Sequence, residues 1–187
     1  MTPPSPSPVP TVIKRYITTH DQETGKAIFS KVVPPEIQPN TQIPGLYLYN
    51  AYSTSTFPTD LSNDGDIPSY LFNNPDMSAL GSMIGNAYQV VEIWPAARPS
   101  RPPVMHRTVS IDIGVILEGS VELLLDSGET RTLGKGDVVV QRGTMHAWRN
   151  VSETEVARIF FVASPIKPVV VKNGKEELGF EHPVMSR

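Results

Sequence analysis

The sequence predicts an all-β protein built around a single antiparallel sandwich or barrel. Between residues 86 and 164, short apolar runs are separated by glycines and other turn residues at intervals of about 8–12 residues. No stretch keeps the periodicity of an amphipathic helix over more than about three turns. The length of 187 residues fits one domain with flanking segments.

Composition and charge argue against several classes of protein. The chain has 16 Lys and Arg against 19 Asp and Glu, a formal net charge of −3, so it offers no basic surface for nucleic acid. No run approaches the roughly 18 consecutive apolar residues of a membrane helix. Because cysteine is absent, disulfide frameworks, thiolate zinc sites and cysteine nucleophiles are excluded. We expect neither nucleic acid nor a membrane as a partner.

Residues 1–10 are predicted to form a tail. The segment is dominated by proline and serine and lacks the positively charged start and apolar run of a secretory signal. We therefore expect an extended or disordered arm on a cytosolic protein.

Residues 11–85 are predicted to supply strands and long loops that pack on the barrel. The predicted strands are Val12–Thr19, Ala27–Val33 and Leu46–Tyr52. The first two form a hairpin around a turn at Asp21–Lys26, in which Gly25 takes a positive φ. Ser53–Ser82 is polar and rich in proline, which predicts a loop with one helical turn near Met77–Leu80.

Residues 86–164 are predicted to form the barrel itself. The predicted strands are Tyr88–Trp94, Val104–Leu117, Val121–Leu125, Glu129–Leu133, Asp137–Gln141, His146–Asn150 and Val156–Val162. A hairpin turn is expected at residues 126–129, with Gly128 at its centre. The tail of residues 165–187 is predicted to contain a strand at Val169–Val171 and a turn at Asn173–Gly174. We expect this tail to pair with an edge strand of this or another subunit.

Two of the four histidines lie in the predicted barrel, among other polar residues. If residues 104–117 form a strand, His106, Thr108, Ser110 and Asp112 share one side of it. Buried polar groups need partners. This side of the strand therefore predicts either a cavity for a polar ligand or a metal site.

A second predicted strand contributes the other histidine. Over residues 146–150, His146, Trp148 and Asn150 share one side. Together, His106, Asp112 and His146 supply two imidazoles and one carboxylate. Such a set can hold Fe(II), Zn(II) or Mn(II) while leaving positions open for a substrate.

These two segments resemble the cupin superfamily. Its first motif, two histidines one residue apart, then a glutamate and a strand-ending glycine, is approximated by His106, Thr108, Asp112 and Gly119. Its second motif is matched by Gly136, Asp137, Gly143, His146 and Asn150. The chain is most similar to small cupins with Met-His-Arg-Thr and Arg-Gly-Thr-x-His-Ala-Trp-Arg-Asn, over about residues 12–164. Such relatives occur in bacteria and fungi, some beside genes for polyketide-type products, and the long loops here resemble a fungal member.

The resemblance implies a jelly-roll barrel and a homodimer, which also agrees with the need to cover the edge of the N-terminal hairpin. Three departures from these motifs bear on whether the site can bind a metal ion. Thr108 replaces the second histidine, Asp112 replaces the glutamate and is one methylene shorter, and Gln141 replaces the turn proline. The sequence therefore leaves open whether the protein binds one divalent metal or is metal-free.

Other residues receive simpler interpretations. Thr108 and Trp148 are predicted to line the cavity and contact the substrate, since a tryptophan can stack on an aromatic ligand. Glu92 is a further candidate for substrate binding or for a general base, because burial raises a carboxyl pKa. His20 and His182 are interpreted as surface residues, and Arg107 as one half of a surface or interface ion pair.

The resemblance and the predicted cavity imply a lyase or isomerase that decarboxylates or dehydrates a small polyketide-derived acid. His106, His146 and Asp112 are the expected catalytic residues, acting alone or through a metal. Two alternatives stay open. One is a non-haem Fe(II) oxygenase, and the other is a non-catalytic protein that binds a small molecule.

Overall fold

The computed structural model describes residues 9–41, 43, 45–72, 85–95 and 103–181. The predicted helical turn at Met77–Leu80, His182 and the tail up to residue 8 lie outside these ranges. The strands are β1 Ile13–Lys14, β2 Thr18–His20, β3 Ala27–Phe29, β4 Glu36–Ile37, β5 Leu46–Ser53, β6 Ala87–Ile93, β7 Ser110–Glu118, β8 Ser120–Leu125, β9 Thr130–Gly134, β10 Val138–Arg142, β11 His146–Asn150, β12 Ala157–Pro165, β13 Val169–Val171 and β14 Glu176–Leu178. Helix α1 spans Asp66–Phe72, and short 3-10 turns cover Ser62–Asp64 and Lys172–Gly174.

Two antiparallel sheets form the walls of a jelly-roll barrel, as predicted. The larger has the strand order β10-β7-β12-β6-β5 and the smaller has the order β11-β8-β9. Strands β7 and β8 are joined by Gly119 alone, whose φ is +72°. A Cβ there would lie 3.0 Å from the Cβ of Ala157, so the tight turn requires glycine.

The strand register defines an inner face of the larger sheet. Asp112 in β7 lies opposite Gln141 in β10 and Ala163 in β12. Ala163 in turn lies opposite Ala87 in β6. Because side chains alternate along a strand, Gln89 shares this face with Ala87 and Asp112. The face looks towards the smaller sheet.

An apolar core fills one end of the space between the sheets. Its buried members are Ile116, Val121, Ala157 and Ile159, and Trp148 and Phe161 are among the side chains that pack against them. Full burial of one such aliphatic side chain contributes about 1.5–3 kcal/mol. This core packs the two sheets together, because Ile116 and Ile159 belong to the larger sheet and Val121 to the smaller.

N-terminal elements cover part of the outer face of the larger sheet. Ile37 of β4 packs with Tyr47, Tyr49 and Val90. Helix α1 packs through Ile67 and Tyr70 against Val33. The N-terminal elements before β5, together with α1, therefore form a second layer on the barrel.

Several predicted elements differ in detail from the structure. The strand predicted from Val104 begins at Ser110, because residues 106 and 107 instead form isolated bridges to His146 and Glu181. The strand predicted at Val12–Thr19 is divided into β1 and β2, which pair with different strands. Strand β13 pairs with β14 of the same chain.

Helix α1 lies within the segment predicted to be a loop. The helix has only seven residues, too few for a periodic pattern to show, and it contains Pro68. Its stability comes from tertiary contacts of Ile67 and Tyr70. Among the described residues, no helix has the length and apolarity needed to cross a membrane.

Candidate active site

The two barrel histidines face each other across an isolated antiparallel bridge. The backbone N–H of each donates to the carbonyl of the other, and both N···O distances are 2.9 Å. The ring centroids lie 4.4 Å apart, with 55° between the planes. This bridge brings residues 40 positions apart in the sequence together in one site.

Backbone carbonyls orient both imidazole rings. His106 Nδ1 lies 2.9 Å from the carbonyl oxygen of Val104, and His146 Nδ1 lies 2.8 Å from that of Thr144. A carbonyl oxygen only accepts hydrogen bonds, so each Nδ1 carries the proton. In its neutral form, each ring therefore presents the lone pair of Nε2, the atom that can accept a proton or ligate a metal.

His146 is almost fully buried, with 4% of its surface exposed. Burial, followed by the charge of His106, lowers its pKa to about 4, against a smaller opposing contribution from the Thr144 carbonyl. His146 is therefore neutral at neutral pH.

Asp112 is 8% exposed and is held by two hydroxyl groups. Ser110 Oγ lies 2.6 Å from Asp112 Oδ1, and Thr108 Oγ1 donates to Oδ2 at 3.2 Å. Burial raises the pKa of Asp112, while these hydroxyls and then the charge of His106 oppose the rise. Thr108, Ser110 and Asp112 thus form one hydrogen-bonded group beside His106.

The predicted metal ligands are not gathered into one ligand set. Within the described ranges, no three His, Cys, Asp or Glu side chains lie close enough together to hold a metal ion. The two imidazoles are adjacent, but the Asp112 carboxylate is bonded to hydroxyls, and Thr108 brings no nitrogen. The residues as placed therefore do not fit a three-ligand centre. Binding of Zn, Fe or Mn by His106, Asp112 and His146 stays a prediction.

Trp148 separates this polar site from the apolar core. Its ring centroid lies 6.5 Å from that of His146 and 5.8 Å from that of Phe161, in edge-on arrangements. Trp148 is therefore placed to contact a ligand that reaches the histidines. Its predicted role in substrate binding stays a prediction.

Glu92 does not join the site, and this corrects the sequence interpretation. In β6 it alternates with Gln89, Val91 and Ile93, so it lies on the outer face of the sheet. There its carboxylate accepts a hydrogen bond of 2.9 Å from Nε of Arg158. The sequence did show that Glu92 lies in a strand, but not which face it occupies.

Two glutamines that the sequence analysis did not select as site residues lie on the inner face. Gln141 and Gln89 are buried, and neither side-chain Nε2 has a hydrogen-bond partner among the described residues. An unpaired buried donor costs about 1–3 kcal/mol. The only feature of the sequence that could have drawn attention to either residue is that Gln141 replaces the turn proline of the second motif.

Comparison with known proteins bears on the family of this chain. Residues 89–163, which contain both histidines and Asp112, match the cupin domain family model. Oryzines biosynthesis cluster protein J of Aspergillus oryzae is 40% identical over 167 residues, which cover 88% of this chain and 88% of that protein. The chain belongs to the cupin superfamily.

Other relatives of this cupin are also fungal. Phomopsin biosynthesis cluster protein C' of Diaporthe leptostromiformis is 42% identical over 161 residues, covering 84% of this chain and 80% of that protein. A Neurospora crassa protein named cupin-domain-containing oxidoreductase srdB is 35% identical, covering 87% of this chain and 78% of that protein. Its relatives thus include cupins of fungal biosynthesis clusters and cupins named as oxidoreductases.

Proposed function

We propose that this cupin is a small-molecule lyase or isomerase that decarboxylates or dehydrates an enolisable, polyketide-derived acid. The observation that carries the proposal is the pair of facing imidazoles, each held by its Nδ1–H so that Nε2 is the basic atom. A base fixed in this way, with a polar group beside it, suits proton transfer to or from carbon. The biosynthesis-cluster relatives support a natural-product substrate.

In dehydration, an imidazole Nε2 takes the proton from the carbon next to the carbonyl. The electrons of the broken C–H bond move into the carbonyl group and form an enolate, and their return expels a hydroxyl that leaves as water once it is protonated. In decarboxylation, the C–C bond to the carboxylate breaks, CO2 leaves, and the electrons of that bond form an enolate of the neighbouring carbonyl, which an imidazolium then protonates. Neither route needs an oxidant.

Gln141 and Gln89 are suited to stabilise that enolate. Gln141 lies opposite Asp112 in the register, and both amide Nε2 groups are buried without a partner in the described part of the chain. Donors that wait in a dry site for a developing oxyanion lower the barrier without further reorganisation. We assign Thr108 and Ser110 to hold Asp112, and Asp112 to stabilise positive charge at His106.

Solvent-deuterium incorporation tests this proposal across a panel of candidate substrates. Purified protein is incubated in D2O with a series of β-keto and β-hydroxy aromatic acids, and mass spectrometry detects deuterated products and loss of CO2 or water. We expect turnover in the wild type and in His20→Gln, whose histidine lies in the separate β2–β3 hairpin. We expect its loss in His106→Gln and His146→Gln with an unchanged circular dichroism spectrum. Full turnover in both variants would reject the mechanism.

A second candidate function rests on the relatives named as oxidoreductases. A non-haem Fe(II) oxygenase would consume O2 on addition of Fe(II) and substrate, whereas the lyase would turn over anaerobically. A binding protein without catalysis would retain a product tightly and show neither reaction. The same incubations, run with an oxygen electrode, separate these three functions.

We also propose a homodimer formed through the outer face near β10. Val138 and Val140 of β10 and Ile113 and Leu117 of β7 are exposed, and Val140 lies opposite Ile113. An exposed apolar patch beside an edge strand is typical of a contact surface. Light scattering should show a dimer that Val140→Lys converts to a monomer, while Val170→Lys on the β13–β14 hairpin leaves it intact. A monomeric wild type at micromolar concentration contradicts this proposal.

A further inference from the structure

A cavity of about 320 Å³ lies outside the candidate active site, between the N-terminal layer and the edge of β5. Its lining comes from the segment after β1, from β4 and its flanks, from β5 and from α1. None of these residues belongs to the His106–His146 site. The volume lies within the range of small-molecule pockets.

Arg15 supplies the only cationic side chain among the described residues that line this cavity. Its Nε and Nη1 are buried and have no hydrogen-bond partner within the described ranges. Its guanidinium carbon lies 5.3 Å from the centroid of the Tyr70 ring, and Tyr70 is itself held by donating its hydroxyl to the carbonyl of Asn50 at 3.1 Å. The guanidinium is therefore held from one side by the Tyr70 side chain, which also hydrogen-bonds to it, and its Nε and Nη1 donors stay unused.

Arg158 shows how the same fold satisfies a guanidinium that has a structural role. Its Nε donates to Glu92, Nη1 to Glu118 and Nη2 to Thr11. For Arg15, no carboxylate in the described part of the chain lies within ion-pair distance. A partly buried guanidinium with two buried donors and no counter-charge is costly, which indicates an anionic partner from outside the chain.

The remaining lining restricts the chemistry of that partner. Val33, Ile37 and Tyr70 are buried apolar or aromatic walls, which favour a ligand with an apolar body. Glu36 also lines the cavity, and its negative charge disfavours a second charge on the ligand. A carboxylate matches the planar donors of a guanidinium.

We propose that the cavity beside Arg15 binds a small monocarboxylate with an apolar body, whose carboxylate pairs with the Arg15 guanidinium. The site is separate from the residues assigned to catalysis. It therefore binds its ligand whether or not the histidines are active.

Calorimetric titration of the full chain with sodium benzoate tests this inference, with benzamide as the uncharged isostere and inorganic phosphate as the multiply charged anion. We expect benzoate to bind, benzamide and phosphate to bind at least tenfold more weakly, and Arg15→Gln to lose benzoate affinity by tenfold or more, since a charge-assisted pair is lost. His146→Gln should leave the affinity unchanged, as should Arg131→Gln, which removes an exposed arginine.

A second variant guards against misfolding of Arg15→Gln. Glu36 is exposed, so Glu36→Gln should fold normally and raise benzoate affinity about two- to fivefold by removing the repulsive charge. Equal binding of benzoate to the wild type and to a folded Arg15→Gln would overturn the inference. So would no binding at millimolar benzoate, equal binding of phosphate, or an affinity lost with His146→Gln, which would place the ligand in the barrel.

Discussion

Glu92 and Asp112 are both buried carboxylates, yet they lie on opposite faces of the same five-stranded sheet. Glu92 is 1% exposed and accepts a hydrogen bond from Arg158 on the outer face. Asp112 faces the barrel interior and is held by Ser110 and Thr108. The first is a structural ion pair, and the second belongs to the polar site beside the histidines.

Glu92→Gln should destabilise the fold without directly altering the site. Removing one partner of a buried ion pair costs about 3–5 kcal/mol. Because Arg158 keeps its pair with Glu118, we expect a loss at the lower end, about 3 kcal/mol in the free energy of unfolding. Urea denaturation measures it. The matched control is Glu118→Gln. Because the Glu118 carboxylate is 56% exposed, this substitution should lower the free energy of unfolding by only about 0–1 kcal/mol. Equal losses in the two variants would contradict the assignment.

Tyr49 should make the protein sensitive to alkaline pH. Burial, followed by the charge of Glu92, raises the pKa of Tyr49 to about 12, whereas a tyrosine in the unfolded chain has a pKa near 10. Between these values the unfolded chain loses a proton that the folded chain keeps, so stability falls as pH rises from about 10 to 12, by up to about 3 kcal/mol. In Tyr49→Phe this part of the fall should disappear in denaturation curves. Tyr16→Phe, at a tyrosine that is 67% exposed, should behave like the wild type.

Restoring two ligands should create a metal site. Thr108 stands beside Asp112 and His106, so Thr108→His combined with Asp112→Glu would add an imidazole and lengthen the carboxylate. Elemental analysis should find near-stoichiometric Zn, Mn or Fe in this variant and substoichiometric metal in the wild type. Near-stoichiometric metal in the wild type that is lost in His106→Ala/His146→Ala would instead show that Asp112 rearranges to complete the centre.

Gln141→Leu should separate stability from activity. Because Nε2 of Gln141 is buried without a partner, replacing the amide with an apolar side chain should leave Tm unchanged or raise it. Loss of an enolate donor should lower kcat by about 10²-fold on the substrate found in the deuterium assay. Gln89→Leu tests the second amide in the same way. A lower Tm with unchanged kcat would assign the glutamines to the fold.

The sequence by itself determined the strands of the barrel and the identity of its polar residues. Alternation is a property of neighbouring residues, so the inward side of Ser110 and Asp112 and the strand His146–Asn150 were predictable from local pattern. The two motifs also selected His106 and His146, which the structure brings face to face.

Only the tertiary structure decided which sheet face each residue of β6 occupies and which polar groups are satisfied. The face that Glu92 occupies depends on the pairing of β6 with β12. Its partner there, Arg158, is 66 residues away in the sequence. The unpaired amides of Gln89 and Gln141, the guanidinium of Arg15 and the hydroxyl bonds of Asp112 likewise depend on neighbours distant in sequence. Local pattern sets which side chains point the same way, but hydrogen bonding and burial are set by long-range pairing and packing.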